Sequence, residues 1–177
     1  MLIPTSSPQD FSFIHRAGGG YPLALAIVML AQSFFGGAPI DGIHCDVQEG
    51  AVEHIHAHLQ LFDRGRALVV PEDIGIPNGG ACLYWLHTHA EDGIIHIESP
   101  VRRTFTLGEF FDVWGVALSR SQAASIDAGP GRRLRVTVNG RLWTGDPRAI
   151  RLSDREEIVI QRGPPFARPQ PAPWSNM

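Results

Sequence analysis

Residues 54–70 read HIHAHLQLFDRGRALVV, and the fold turns on how that run is taken. His54, His56 and His58 alternate with Ile55, Ala57, Leu59 and Leu61, the period of two that marks a strand buried on one face. Arg64-Gly65 breaks the run before Ala67–Val70 resumes it, which predicts a hairpin. The apolar side is what a core requires. The other side carries three imidazoles where a solvated strand would carry charged or hydroxylated residues, so the unusual face is the polar one.

A second such region follows at 82–98, CLYWLHTHAEDGIIHIE. Cys82–His89 and Ile94–Glu98 read as strands around Asp92-Gly93, a favoured pair for a two-residue hairpin loop. With that loop, His89 faces His96 and His87 faces Glu98. Directly opposed Cβ atoms lie ~4.5–5.5 Å apart, so the turn would gather His87, His89, His96 and Glu98 into a block on one face. A slip of one residue would send His96 to the other side.

Elsewhere, Leu107, Phe110, Phe111, Trp114 and Leu118 fall at helical spacing and predict a helix over 106–119, with Thr106 and Glu109 forming a capping box. A shorter apolar helix is expected at Pro22–Ser33, after an irregular arm. The segments Leu134–Val138, Arg141–Trp143, Ile150–Leu152 and Glu157–Gln161 read as β, the first two joined by Asn139-Gly140. The chain thus divides into an N-terminal arm and helix (1–40), a histidine-rich β domain (41–163) and a Pro-rich tail (164–177), extended and loosely held. The fold class is mainly β, of the α+β kind: antiparallel hairpins in a compact sheet or barrel-like core, with about two helices.

Of eight histidines, six lie between positions 54 and 96. Alternate Cα atoms on a strand are ~6.6 Å apart, within reach of one ion, whereas His54 and His58 at ~13 Å are too far apart to share one. His89 and His96 form the expected ligand core, completed by His87 or by His56. Glu98 serves as a ligand, an orienting acceptor or a general base. Three imidazoles with an open position suit catalytic zinc, two with a carboxylate suit iron(II), and copper also accepts imidazole. The cofactor is therefore one divalent transition-metal ion: zinc, copper or iron.

All fifteen basic residues are arginine and the net charge is −3, which speaks against nucleic acid as a partner. No segment has the ~18–20 apolar residues of a spanning helix, and the expectation is a soluble protein, the cytoplasm slightly favoured over the periplasm. Cys45 and Cys82 can form a bridge, stay free or, less readily, ligate a metal; their spacing does not choose. The arm and tail would suit strapping onto a second copy of the chain.

The strings HIHAHL (His54–Leu59), YWLHTH (Tyr84–His89), GIIHIESP (Gly93–Pro100) and TLGEFFDVWG (Thr106–Gly115) resemble an uncharacterised family of small histidine-rich bacterial and archaeal proteins. The likeness spans about Asp41–Gly163 and implies no particular activity. Cupins also carry an HxH element, but the glutamate they place four or five residues later is absent here, where Gly93 and Ile94 stand. Three readings of function follow. The first is a small metalloenzyme whose ion activates water, dioxygen or a small-molecule substrate. The second is a copper or zinc carrier or sensor. The third is a structural or partner-binding β domain.

Overall fold

A computed structural model of the chain describes residues 37–176; the expected arm and the Pro22–Ser33 helix lie outside them. The central strand, β2 (Glu53–Asp63), pairs along one edge with β11 (Glu156–Arg162), in parallel. Its other edge is shared by two antiparallel partners, β6 (Ile94–Ser99) against residues 53–58 and β3 (Arg66–Leu68) against residues 61–63. Beyond β11 lie β9 (Arg135–Val138) and β10 (Arg141–Trp143), and beyond β6 lies β5 (Leu86–His87). The resulting seven-stranded sheet is open, so the barrel-like closure expected from the hairpins does not form. Two small two-stranded sheets flank it: β1 (Cys45–Asp46) with β4 (Leu83–Tyr84), and β7 (Gln122–Ala123) with β8 (Ile126–Asp127).

The alternation in residues 54–61 sorts the two faces as read. Ala57, Leu59 and Leu61 are buried with Ile95, Ile97, Val136, Ile158 and Ile160 in one core, each large side chain contributing about 1.5–3 kcal/mol on burial. The turns at Arg64-Gly65 and Asn139-Gly140 are two-residue loops, with Asp63 opposite Arg66 and Val138 opposite Arg141.

Among the described residues there is a single α-helix, α1 (Leu107–Trp114). Its capping box is formed: the Glu109 amide donates to Thr106 Oγ1 at 3.3 Å, and the Thr106 amide donates to Glu109 Oε2 at 2.7 Å. The helix is shorter than its periodicity suggested, because Gly115 takes a left-handed conformation (φ 75°) and closes it one residue after Trp114. Leu118 still reaches the core, from a bridge to Ala123. Of the expected Ile150–Leu152 strand, only Arg151 pairs, in an isolated bridge to Thr106.

Cys45 of β1 and Cys82, the residue before β4, form a disulfide. The Pro-rich tail is held, not loose. Gln170 exchanges two hydrogen bonds of 2.9 Å with the Gln60 side chain, and the Ala167 amide donates to Gln161 Oε1 at 2.8 Å. It therefore lies over the end of the polar face that the histidine cluster leaves free. No helix among the described residues is long and apolar enough to cross a membrane.

Candidate metal centre

Register assembles the site. His56 of β2 and His87 of β5 both stand opposite His96 of β6, while His54 stands opposite Glu98. Opposed residues share a face, so three strands present one continuous patch of imidazoles around a carboxylate. His89 lies beyond the end of β5 and folds back onto the patch, its Nε2 3.1 Å from Nε2 of His87.

The predicted hairpin differs in one respect. His96 pairs with His87 instead of His89, a shift of two that leaves every histidine on its expected face. The cause is Thr88. Its amide donates to the Ile74 carbonyl, its carbonyl accepts from Asp73, and its hydroxyl donates to the Pro71 carbonyl. These bonds draw the chain toward the 71–76 loop and end β5 early. Asp92 then caps the Ile94 amide, at 3.0 Å, in place of forming a two-residue loop. At Gly93, φ is 78° and a Cβ would lie 2.4 Å from the Leu59 carbonyl oxygen, so glycine is required there.

The orientation of His87 is fixed. The ring is 1% exposed, and its Nδ1 lies 2.8 Å from the Tyr84 carbonyl, which can only accept. Nδ1 therefore carries the proton and Nε2 directs its lone pair at the cluster, the arrangement that a metal-binding imidazole needs. Burial lowers the His87 pKa to about 4, against the weaker opposing effects of that hydrogen bond and of Glu98, so the ring is neutral at physiological pH. Burial, with the neighbouring His96 and His54, also lowers the pKa of His56.

Glu98 is 3% exposed. Its Oε1 lies 3.1 Å from His96 Nδ1 and 3.4 Å from His54 Nε2, while Oε2 is buried without a hydrogen-bond partner. Burial by itself would raise this carboxyl. The hydrogen bond from His96 and the charges of His87, His54 and His96 outweigh it and hold the pKa at about 2.

Two sets of donor atoms come together, each with all members within 4.8 Å of one another: His87, His89, His96 and Glu98, and His54, His56 and Glu98. His58 is kept apart. Its Nε2 lies 3.2 Å from the Asp92 carbonyl oxygen and its ring packs edge-on to Trp174. His44 stacks on Trp85, with 5.1 Å between ring centroids, also away from the cluster. Sequence reasoning missed Glu49, whose Oε1 lies 3.6 Å from His89 Nε2; a loop glutamate leaves no periodic signal.

A cavity of ≈ 360 Å³ is lined by His58, Leu59, Gln60, Asp92, Gly93 and Gln170, among others, and by no residue of either donor set. The tail therefore supplies part of its wall. The arrangement is a set of His and Glu donors at metal-binding distance on an otherwise apolar scaffold, compatible with a divalent ion. Compared with protein-family models, with curated proteins and with solved structures, the chain gives no match.

Proposed function

We propose that this protein is a small metalloenzyme whose divalent transition-metal ion is held by His87, His89 and His96 with Glu98. The observation that carries this reading is Glu98 itself. A buried carboxylate with an oxygen that nothing satisfies is costly, by about 1–3 kcal/mol or more, and this one sits among imidazoles whose donor atoms are already within reach. A metal would satisfy that oxygen. The neutral, pre-oriented Nε2 of His87 supports the same conclusion, because a ring that holds no proton there needs none displaced.

Imidazole donors with one carboxylate suit zinc, copper or iron over calcium or magnesium, which prefer oxygen. Such an ion supplies Lewis acidity toward water, dioxygen or a substrate oxygen. The protein's own contribution is to fix the donors on rigid strands and to leave the His89 side open, since that ring is 43% exposed. The cavity at His58 falls within the size range of small-molecule sites. Room for a small molecule on the histidine-bearing strand supports an enzyme over a bare carrier.

A second reading, a copper or zinc carrier or sensor, draws on a different observation: His54 and His89 are both about half exposed, so an ion on this face could be handed over directly. The Cys45–Cys82 bridge supports an oxidising compartment for either role, in place of the cytoplasm the sequence favoured.

Zinc binding by calorimetry tests the proposal. The wild-type chain should bind zinc stoichiometrically, His89→Ala and His96→Ala should lose the ion held at His87, His89 and His96, and His44→Ala should bind as wild type does. Equal binding by all four proteins would refute the assignment. Rapid release of the ion to a competing chelator would favour the carrier, and retention the enzyme.

A further inference from the structure

We propose that the patch is a dinuclear centre, in which Glu98 bridges a first ion at His87, His89 and His96 to a second ion at His54 and His56. This rests on the metal-binding reading above and extends it.

Three observations lead to the second ion. The donor atoms of His54, His56 and Glu98 lie within 4.8 Å of one another, and the only residue they share with the other set is Glu98. One ion therefore does not collect all five imidazoles, and first-row ions rarely take that many protein ligands. His54 and His56 are nevertheless placed by the same register as the first set, opposite Glu98 and His96. The sheet thus delivers a second pair of imidazoles, on the same face, with no ion to serve in a mononuclear scheme.

The carboxylate stands at the junction. Oε1 is within 3.4 Å of nitrogens from both sets, His96 Nδ1 and His54 Nε2, while Oε2 is buried and unpartnered. A carboxylate that offers one oxygen to each of two ions would use both atoms. A single ion on Oε2 would leave Oε1 to its contacts with His96 and His54, and the imidazole pair of His54 and His56 without an ion. Two-metal centres place their ions ~3.5–4 Å apart and hold the two reacting oxygens of a substrate between them, which is the advantage a bridge at this position would confer.

The test is zinc stoichiometry on the full chain, by elemental analysis after removal of free metal, paired with copper(II) electron paramagnetic resonance. Wild-type protein should retain two zinc ions per chain, and His54→Ala/His56→Ala should retain one. His54 is 54% exposed, and circular dichroism checks that the variant folds; His54→Ala alone serves if the double variant does not. With two copper(II) ions bound, wild type should show the weakened signal of coupled spins, and Glu98→Gln should lose that coupling. A wild type that saturates at one zinc, with the His54/His56 variant unchanged, would overturn the bridge and leave the mononuclear site intact. No stoichiometric zinc in any of these proteins would overturn both. Two ions in the His54/His56 variant would also exclude the second position.

Discussion

Opening the Cys45–Cys82 bridge should cost this protein at least about a quarter of an ordinary domain's stability of ~5–15 kcal/mol. The bridge joins residues 37 apart in sequence, and the loop-closure entropy it removes from the unfolded chain amounts to about 4 kcal/mol at that length. For a chain of 177 residues, each kcal/mol moves the melting temperature by about 2–4 °C, so the expected fall is about 8–16 °C. Its location gives the loss a functional side. β1 and β4 meet in a two-residue ladder, with Cys45 itself opposite Tyr84. The Tyr84 carbonyl fixes the ring of His87, and Asp46 accepts from the Trp85 indole at 2.6 Å. Calorimetry of Cys45→Ser/Cys82→Ser, and of wild type with and without reductant, measures the effect. Zinc affinity should fall in parallel, by the about 10–100-fold usual when a partner that orients a ligand is disturbed. A melting temperature that stays within 3 °C (about 1 kcal/mol) in both comparisons would refute the reasoning.

Other consequences can be checked as directly. Gly93→Ala adds about 1–2 kcal/mol of left-handed backbone strain and endangers the Leu59 N–H to Gly93 carbonyl bond, worth about 1 kcal/mol; denaturant titration should show a loss of about 2–3 kcal/mol and weaker zinc binding. Burial, chiefly, lowers the pKa of His58 in the folded protein. Its contribution is therefore complete above the unfolded value of about 6.5 and lost as pH falls below it, so His58→Gln should flatten part of the decline in melting temperature between pH 7 and pH 5. A slope as steep as wild type's would count against that burial. Adding zinc at 100 times its dissociation constant should stabilise the wild type by about 2.7 kcal/mol, or about 5–11 °C, and a chelator should reverse it.

The sequence made the polar and apolar faces of β2 legible, because a strict period of two over His54–Leu61 admits one arrangement. It also placed His87, His89, His96 and Glu98 on a common face. The pairing within that hairpin was not legible: Thr88 is claimed by the 71–76 loop, and hydrogen bonds between distant segments have no local signature. The early end of α1 was available in Gly115, which outweighs the continuing periodicity at Leu118. The parallel pairing of β2 with β11 joins segments about a hundred residues apart, and it is what brings Asp154 and the tail to the histidine strand. Glu49 and the tail's seat on Gln60 depend on such contacts as well. His58 shows the reverse case, a residue whose spacing matched its neighbours but whose ring is engaged by Asp92.

The most direct measurement is a crystal structure of the zinc-loaded protein, with data collected on either side of the zinc absorption edge. An anomalous peak about 2.0–2.2 Å from Nε2 of His87, from a nitrogen each of His89 and His96, and from a Glu98 oxygen is the predicted result. Zinc found only at other residues, with the Glu98 carboxylate still unpartnered, would contradict the account.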